Sequence, residues 1–307
     1  MSGEPKLIMV ADDGGETLEF AQLKNGLRQP HFNKTANEIQ EIFEHVPETP
    51  CRDDDIMLAT FAKTGTNWLY EILSMVQRRS AARVQETKMS TMLEANPADV
   101  IDSRPSPRVL NTHYRPSCLP KDMARKKVKT VLCLRNPKDT AVSYFAHMTA
   151  MRIYNYTGKF TDWIGPFVQG ELEYNSYADY LNEWQQAIEA GLGYPLHVMY
   201  FENLKMDGMS ELNKLLEFLE VDLDEATRAA ILAQCDFRNM RKDKPEIVPS
   251  VQHFKNSNLF REGHSFYRKG EVGDWKNWFT VAKSEMFDAV WTSQIRPDTM
   301  FHFRYTM

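Results

Sequence analysis

The sequence predicts an α/β fold of a single domain, in which helices flank a central parallel sheet. Three short apolar, β-prone runs lie at 56–61, 128–134 and 196–201, and segments with helical patterning separate them. Such alternation is typical of a parallel sheet that is covered on both faces. A turn with a lysine and a glycine follows the first of these runs directly. We therefore expect a P-loop-like phosphate-binding turn after the first core strand.

The helical segments are predicted from apolar residues that recur on one face. One stripe follows the first strand, and another lies beyond the third. Their members are Trp68, Leu69, Ile72, Leu73 and Val76, then Leu212, Leu215, Leu216 and Leu219. Both stripes predict helices that pack on the sheet. Asp222, with Glu225 three residues on, predicts a capping box for a further helix through Ala229 and Ile231.

The composition fits one folded domain over 1–307. Of the 307 residues, 42% are hydrophobic, enough for a sizeable core, and 26% are charged, which suits a hydrated surface. No internal repeat or low-complexity linker marks a domain boundary. Residues 1–50 and the stretch at about 80–107 have mixed polarity and scattered prolines. We expect the N-terminal segment to be weakly anchored and the second stretch to form a substrate lid.

Net charge and cysteine spacing exclude several classes of protein. The formal net charge of −5 gives no general attraction to nucleic acid or anionic membranes, so an anion site has to come from a local basic cluster. The four cysteines, Cys51, Cys118, Cys133 and Cys235, are far apart and lack metal-ligand spacing, which predicts reduced thiols and no metal. The first residues lack a signal-peptide pattern, and no run reaches 18 apolar residues. We expect a cytoplasmic location and no membrane span.

The turn at 62–68, AKTGTNW, has the chemistry of a phosphate cradle. Gly65 lets the backbone turn tightly, so that amide N–H groups and the start of the next helix point toward an anion. Lys63 adds an ammonium group. Short hydrogen-bonding side chains come from Thr64, Thr66 and Asn67. Because the lysine precedes the glycine, this is not a Walker A motif, and taken alone it is equally compatible with an ordinary strand-to-helix loop.

Two more basic segments share this chemistry. Arg135 in RNPKDTAVSYF ends the second strand run, where ligands bind in open α/β sheets, and Ser143 can return to that site from a helix that begins near Pro137. A structural ion pair is the alternative for Arg135. The segment RKGEVGDWKNWFT at 268–280 offers two cations and a glycine. These are Arg268, Lys269 and Gly270, for which an exposed turn is the alternative.

Together the three segments resemble the cytosolic sulfotransferase family, whose members carry YPKSGTTW, RNPKDxxVSYYHF and RKGxxGDWKNxFT in this order. SPRVLNTH at 106–113 is similar to the family's SPRxxKTH, and MYFENLK at 199–205 to its xYEDMK. The resemblance extends from about Asp53 to Glu285. It implies one α/β domain, 3′-phosphoadenosine 5′-phosphosulfate (PAPS) as sulfonate donor, its desulfonated form PAP as product, and no metal. The implied acceptor is a small molecule: a phenol, alcohol, steroid or amine.

The resemblance also implies which residues bind the donor. The 5′-phosphosulfate would be held by Lys63, Thr64, Gly65, Thr66 and Asn67. The 3′-phosphate would be held by Arg135, Ser143 and Arg268, with the backbone at Lys269 and Gly270. The adenine would stack between Trp68 and Phe237, in line with the affinity of purines for aromatic rings. Phe201 and Cys235 stand at two further donor-site positions.

The resemblance places catalysis on three residues. His113 aligns with the general base of the family, and an imidazole that titrates near neutrality can accept a hydroxyl proton. The implied step is in-line displacement, in which the acceptor oxygen attacks sulfur while Lys63 stabilises charge on the leaving oxygen. Ser143 would engage Lys63 and restrain hydrolysis of the donor before an acceptor arrives.

Several positions depart from the family pattern. The changes are Ala62 for proline, Asn67 and Cys235 for threonine, Phe201 for tyrosine, and Asn111 for lysine. The change at Asn111, two residues before the aligned base, removes a positive charge near the reacting sulfonate. It motivates an alternative of another class, a catalytically impaired protein that binds PAPS or PAP. The retained Lys63 and His113 oppose that alternative.

The acceptor pocket and the subunit contact are predicted only from where residues stand relative to the motifs. Candidates for the acceptor pocket are Phe61, Asn111, His113, Phe145, His147 and Met148, with core packing as the alternative for each. KNWFTVAKSE at 276–285 is similar to the family's dimer motif KxxxTVxxxE. Its defined positions hold Lys276, Thr280, Val281 and Glu285. A homodimer with a two-fold contact is implied, whereas a helix start packed on its own domain is the alternative, since crossed Lys/Glu pairs add little stability.

Overall fold

The computed structural model describes residues 3–83, 86–243, 260–262 and 267–307. Its strands are β1 (Lys6–Ala11), β2 (Thr17–Gln22), β3 (Arg28–Gln29), β4 (Ile56–Thr60), β5 (Val109–Thr112), β6 (Lys129–Leu134) and β7 (Leu196–Tyr200). The last four form a parallel sheet in the order β5-β4-β6-β7. Ile56 pairs with Val109 on one side and with Lys129 on the other. The predicted α/β class is confirmed, with β5 as an edge strand that the sequence analysis missed.

Helices cover both faces of the parallel sheet. They are α1 (Ala36–His45), α2 (Thr66–Gln77), α3 (Ala98–Asp102), α4 (Asp122–Lys126), α5 (Pro137–Ala150), α6 (Phe160–Val168), α7 (Tyr177–Ala190), α8 (Phe201–Met206), α9 (Gly208–Leu219), α10 (Glu225–Gln234), α11 (Phe237–Asp243) and α12 (Val281–Gln294). Short 3-10 helices lie at Val46–Glu48, Lys88–Thr91, Pro116–Cys118, Arg152–Tyr154 and Asp274–Asn277. Among the described residues, no helix has both the length and the apolar character needed to cross a bilayer.

Side chains of β4 alternate between two hydrophobic cores. Met57 and Ala59 join a large aromatic core that includes α5, α6, α7 and α12. Ile56 and Leu58 join a second core with α2, α9 and α10. Successive side chains of a strand point to opposite faces, so a strand buried on both faces is apolar along most of its length. This explains why β4 reads as a continuous apolar run.

Both predicted apolar stripes lie on helices. Leu69, Ile72, Leu73 and Val76 are buried on α2, and the four leucines of the second stripe are buried on α9. Trp68 differs from the rest of its stripe, because its ring is only half-buried and lines a cavity.

The predicted capping box at Asp222 is wrong. The cap of α10 is Asp224, whose side chain accepts a hydrogen bond from the Thr227 N–H at 2.6 Å. Leu223 is buried in the second core, so the chain is still turning inward there and the helix begins only after Asp224. Asp222 therefore lies outside the first turn.

The N-terminal segment is more firmly anchored than its mixed polarity predicts. β1, β2 and β3 form an antiparallel sheet, and Leu18 and Phe20 on β2 are fully buried in the large core. α1 begins with a capping box between Thr35 and Glu38. The Thr-x-x-Glu spacing is typical of the start of a helix, although no helix is predicted there from the sequence above. Residues 1–2 lie outside the described residues.

The stretch at about 80–107, predicted to be a substrate lid, contains a 3-10 helix at Lys88–Thr91 followed by α3. Met92 forms an isolated parallel bridge with Asn111, which ties this segment to the free edge of β5. Within the same stretch, 84–85 lie outside the described residues. Lys88, Met89 and Met92 face a cavity at the carboxyl end of the sheet.

Candidate active site

A cavity of about 400 Å³ lies at the carboxyl ends of β4, β6 and β7. Ligands of open parallel sheets bind in this place. Side-chain contacts divide the lining into two parts. The basic end comprises Trp68, Arg135, Phe201, Phe237, Arg268, Lys269 and Gly270, and the tyrosine end comprises Lys88, His113, Tyr144, His147, Tyr154, Glu173 and Tyr174. Lys63 lines the same cavity, and the charges of both Arg135 and Lys88 act on it.

The turn between β4 and α2 is strained in the way a phosphate cradle requires. Lys63 has φ +72° and Gly65 has φ +127°. A Cβ on Gly65 would lie 3.2 Å from Cys133 Sγ and 3.3 Å from a ring carbon of Phe201, so only glycine fits closely here. No side chain of the described residues caps the start of α2. The first residues of α2, Thr66 and Asn67, line the cavity, so the uncapped N–H groups and the positive end of the helix dipole lie beside it.

The threonines of this turn hold its shape. The Thr64 hydroxyl donates to Phe61 O at 2.8 Å and is 2.9 Å from Cys133 O, and the side chain does not line the cavity. Thr66 Oγ1 lies 2.9 Å from Thr60 Oγ1 on the last residue of β4. Of the two, only Thr66 reaches the cavity, next to Gly65 and Asn67. Thr64, predicted as a donor ligand, instead fastens the turn to β6.

Arg135 follows β6 and is almost fully buried. One of its terminal nitrogens donates to Glu271 O at 2.8 Å, and the guanidinium lies over the Phe201 ring at 4.2 Å. Its Nε, also buried, has no hydrogen-bond partner among the described residues. The residue lines the cavity, where the charge of its guanidinium favours a bound anion. Burial lowers the pKa of Arg135, although an arginine stays charged in proteins.

The loop at 268–274 is held around the carboxylate of Asp274. Arg268 donates to this carboxylate at 2.6 Å and Lys269 at 2.7 Å. Burial acts to raise the pKa of Asp274, but hydrogen bonds from Lys269, Asn277 and Arg268 outweigh it and hold the pKa well below its usual value. The two cations are thus fixed in direction rather than free on a flexible turn.

Gly270 allows this loop to pack against an aromatic ring. It has φ +67°, and a Cβ there would lie 2.4 Å from Cδ2 of Phe237. Phe237 in turn meets the Tyr267 ring edge-on, with centroids 6.4 Å apart. Trp68 and Phe201 form a second edge-on pair at 5.2 Å. Cys235 also lines the cavity, and Ser143 does so from α5.

At the tyrosine end, the contacts of the His113 ring favour one tautomer. Nδ1 lies 2.9 Å from both the hydroxyl and the carbonyl oxygen of Thr60, and the carbonyl can only accept a hydrogen bond. Nε2 lies 3.1 Å from Lys88 Nζ, and an ammonium group can only donate. The proton is therefore on Nδ1, and the lone pair of Nε2 faces the cavity side. The ring packs edge-on against Tyr174, with centroids 5.0 Å apart.

Burial and like charge keep this histidine neutral. Burial foremost, and then the charge of Lys88, lower the pKa of His113 well below its usual value. Burial also lowers the pKa of Lys88 to about 8. Burial, together with the charges of Lys88 and Arg135, lowers the pKa of Lys63 to about 7. Both lysines therefore titrate near neutral pH, next to a base that stays unprotonated.

Two buried carboxylates accompany these cations. Glu94 accepts hydrogen bonds from the backbone N–H of His113 and from the hydroxyl of Thr112. Glu173 accepts from the hydroxyls of Tyr144 at 2.5 Å and Tyr154 at 2.8 Å. Burial raises the pKa of each carboxyl to about 7. Both carboxylates act to raise the pKa of Lys88, so they support its charge.

The structure brings only part of the predicted acceptor set to the cavity. His113 and His147 line it, whereas Phe61, Asn111, Phe145 and Met148 do not. Phe61 stacks on Tyr177 at 4.5 Å, Phe145 packs among core aromatic rings, and Met148 Sδ accepts a bond from Trp163 Nε1. Asn111 is fully buried, and its amide donates to Lys88 O at 2.7 Å. For these four the core alternative describes their contacts.

Lys88 and the residues around Glu173 are not predicted from the sequence. No motif marks either position, because each lies in a connecting segment whose path depends on the tertiary fold. A weak signal existed at Glu173, a single acidic residue between Leu172 and Tyr174 in a segment that is otherwise buried. An acidic residue flanked in this way is seldom buried without a partner, and here two tyrosines supply the partners.

Comparison with known proteins agrees with these features. The family model described as "Sulfotransferase domain" matches residues 53–298. Sulfotransferase 1B1 of Mus musculus is 32% identical over 84% of this chain and 88% of its own, and Sulfotransferase 1C2 of Homo sapiens is 26% identical over 92% and 95%.

Solved structures share the fold. A mouse sulfotransferase, SULT7A1 complexed with PAP, superposes with a TM-score of 0.70 at 23% identity, covering 89% of this chain and 94% of that one. Retinol dehydratase in a complex with retinol and PAP gives 0.75 at 16% identity, covering 99% and 100%. Because the domain match spans most of the sequence and a curated relative exceeds 30% identity over most of its length, the chain belongs to the sulfotransferase family.

Proposed function

We propose that this protein transfers the sulfonate group of PAPS to a hydroxyl or amine of a small acceptor and releases PAP. The observation that carries the proposal is the pairing within one cavity of an anion-binding end and a neutral histidine. Arg135 lines the first with its charged side chain, and His113, whose Nε2 carries no proton and lies 3.1 Å from Lys88 Nζ, lines the second. The solved relatives complexed with PAP support the same donor.

The basic end suits the nucleotide. Backbone N–H groups at the start of α2, with Lys63, Thr66 and Asn67, would hold the 5′-phosphosulfate. Arg135, Ser143, Arg268 and the backbone at Lys269 and Gly270 would hold the 3′-phosphate. Trp68 and Phe237 line this end as half-buried rings and would flank the adenine, beside Phe201 and Cys235. When bound, PAPS supplies the sulfonate, whose bond to the 5′-phosphate oxygen breaks as the acceptor oxygen bonds to sulfur.

The residues near Lys63 and His113 would perform the proton and charge chemistry. His113, neutral and with Nε2 unprotonated, takes the proton of the acceptor hydroxyl. The backbone carbonyl of Thr60 fixes the ring and becomes a stronger partner as the imidazole gains charge. Lys63 stabilises negative charge on the leaving phosphate oxygen, and Ser143 on α5 restrains Lys63 before an acceptor is present.

The tyrosine end suits a largely apolar acceptor. Besides the tyrosines, it is lined by Phe32, Met89, Met92, Met151 and Ile153. Methionine and aromatic side chains adapt to flat apolar molecules, so phenols, steroids and other hydroxylated apolar compounds are the proposed acceptors. This agrees with a role in small-molecule metabolism in the cytoplasm. From the proposed lid at about 80–107, Lys88, Met89 and Met92 form one wall of this end.

A homodimer is part of the proposal. Lys276, Thr280, Val281 and Glu285 are all exposed on the surface of the single chain, and Val281 is 76% exposed at the start of α12. Thr280 already caps this helix by accepting from the Lys283 N–H at 3.2 Å. An exposed apolar residue flanked by opposite charges suits a self-complementary two-fold contact.

The direct test is turnover with PAPS and a panel of phenols, steroids, aliphatic alcohols and amines, followed by detection of sulfonated product. We expect product with at least one acceptor, and we expect His113→Ala to abolish it while the dissociation constant for PAP stays within about twofold. Tight PAP binding with no product from any acceptor would instead favour the second candidate, a protein that binds PAPS or PAP without catalysis. The departure at Asn111 is the observation that favours this second candidate.

A further inference from the structure

Among the residues that the structure describes, Lys88 is the one that hydrogen-bonds to His113 Nε2. It lies at the start of the 3-10 helix Lys88–Thr91, and its Nζ is 3.1 Å from that nitrogen. Any acceptor oxygen that hydrogen-bonds to Nε2 would therefore also lie near Nζ. The proposed function uses His113 and Lys63 but gives Lys88 no part.

The ammonium group of Lys88 is poorly matched by protein partners. Its polar contacts in the described part of the chain are His113 Nε2 at 3.1 Å and the sulfur of Met92 at 3.9 Å. Within the described ranges it forms no ion pair, whereas Lys269 and Lys138 each bond to a carboxylate. Glu94 and Glu173 support its charge without forming a close ion pair, and the ammonium group faces the cavity in which an anion is proposed to react.

Asn111 fixes the segment that carries this lysine. Its side-chain amide donates to Lys88 O at 2.7 Å and lies 3.2 Å from Thr91 Oγ1. Position 111 is where the resembling motif SPRxxKTH has a lysine. In this chain the residue at position 111 is fully buried, and its side chain binds the backbone of Lys88. The segment that carries Lys88 is bridged to the free edge of β5 through Met92.

We propose that Lys88 is a further catalytic residue, whose ammonium group stabilises the negative charge of the sulfonate during transfer and replaces the cation missing at position 111. This inference rests on the proposed function. During the step, the bond from acceptor oxygen to sulfur forms and the bond from sulfur to the 5′-phosphate oxygen breaks. As the acceptor enters, its hydroxyl replaces the Lys88 ammonium as the hydrogen-bond donor to His113 Nε2, and the ammonium turns to the sulfonate. The hydroxyl proton then goes to His113 Nε2, and Lys88 keeps its own proton throughout. Before the acceptor binds, the cation disfavours protonation of His113.

The first test compares PAPS with PAP, which differ only in the sulfonate. For Lys88→Met we expect the affinity for PAPS to fall at least fivefold by calorimetry, while the affinity for PAP stays within twofold of wild type. We expect kcat/KM to fall by about 10²-fold, the effect of removing one charge-stabilising donor. Lys88→Arg should keep the PAPS preference, because the charge remains. Lys6→Met, an exposed lysine on β1, is the matched control and should behave as wild type.

A second readout needs neither donor nor acceptor. Because the charge of Lys88 lowers the pKa of His113, Lys88→Met should raise that pKa in an NMR titration of the ring, and Lys88→Arg should not. We also expect Asn111→Lys in the Lys88→Met background to recover at least tenfold in kcat/KM, with thermal unfolding confirming that each variant folds.

Three results would overturn the inference. The first is a kcat/KM of Lys88→Met within threefold of the wild-type value. The second is an equal loss of affinity for PAPS and for PAP in that variant. The third is a loss of kcat/KM that neither Lys88→Arg nor Asn111→Lys recovers. Equal weakening would make Lys88 a structural residue. If the wild-type protein forms no product with any acceptor, the proposed function fails instead, and that outcome is distinct because it does not depend on Lys88.

Discussion

The backbone N–H of Trp275 donates a hydrogen bond of 2.9 Å to Oδ1 of Asp139, which lies in the first turn of α5. The other carboxylate oxygen accepts from the Gly273 N–H at 2.7 Å. Asp139 is almost fully buried. Two segments that are far apart in sequence, the helix after Arg135 and the loop after Gly270, are thereby joined by one side chain.

Asp139→Ala should therefore loosen the basic end of the cavity. Two backbone donors lose their acceptor in a site with little water, which costs about 1 to 3 kcal/mol of unfolding free energy for each group left unsatisfied. We expect urea unfolding to show a loss in that range and PAP affinity to fall at least tenfold. Asp288→Ala is the control, since that exposed carboxylate on α12 pairs with Lys138, the neighbour of Asp139 on α5. Equal PAP affinity for wild type and Asp139→Ala would show that this loop needs no such clamp.

Gly270→Ala should damage nucleotide binding by displacing a ring. The new Cβ would lie 2.4 Å from Phe237, and the backbone has φ +67°, so both steric contact and conformational strain oppose alanine. We expect the dissociation constant for PAP to rise about tenfold or more, equivalent to about 1.4 kcal/mol.

Gly15→Ala separates the two causes. Gly15 has φ +91°, but no atom lies within 4 Å of its Cβ position, so its variant carries strain without the clash. If Gly15→Ala and Gly270→Ala lowered stability alike and left PAP binding unchanged, the contact with Phe237 would have no role in nucleotide binding.

The elements that the sequence predicts well are those with a local cause. β4 and α2 follow from a continuous apolar run and a 3.6-residue stripe, and Gly65 and Arg135 line the cavity because parallel strands end at one edge of the sheet. What sequence order does not contain is the folding of distant loops onto that edge. Lys88 and His113 are 25 positions apart in the sequence, and no local pattern predicts their contact.

The same reason explains the acceptor residues that were misplaced. Phe61 and Phe145 neighbour predicted site residues in sequence, but adjacent side chains on a strand or helix point in different directions. Phe61 therefore stacks on Tyr177 in the core, while Ala62 and Lys63 line the cavity. Glu173 reaches the cavity because Tyr144 and Tyr154 bind its carboxylate, which depends on side chains from two other elements.

PAP binding should depend on the protonation of Lys63 above neutral pH. Burial foremost lowers the pKa of Lys63 to about 7, so the free protein loses this charge as the pH rises through 7. A bound anion favours the ammonium form, and binding therefore takes up a proton in that range. We expect PAP affinity to fall between pH 7 and 9, by up to tenfold per unit from this group, and calorimetry in buffers of different ionisation enthalpy to detect the proton uptake.

Lys63→Arg and Lys63→Met test the cause. Arginine stays charged, so its variant should bind PAP with less pH dependence, whereas the methionine variant should bind more weakly at pH 7 and show no uptake by this group. An unchanged pH profile in both variants would assign the dependence to another residue.

Val281→Asp should dissociate the proposed homodimer. Val281 is 76% exposed in the single chain of 35.6 kDa, and a carboxylate placed against its symmetry mate would introduce a like charge into an apolar contact. Light scattering during size-exclusion chromatography should give twice the chain mass for wild type and the chain mass for the variant. Met9→Asp, at a residue 59% exposed on β1, adds the same charge outside the motif and should stay dimeric. If wild type elutes at the chain mass over the micromolar range, or if Met9→Asp dissociates it as effectively as Val281→Asp, the segment at 276–285 is an ordinary exposed helix start.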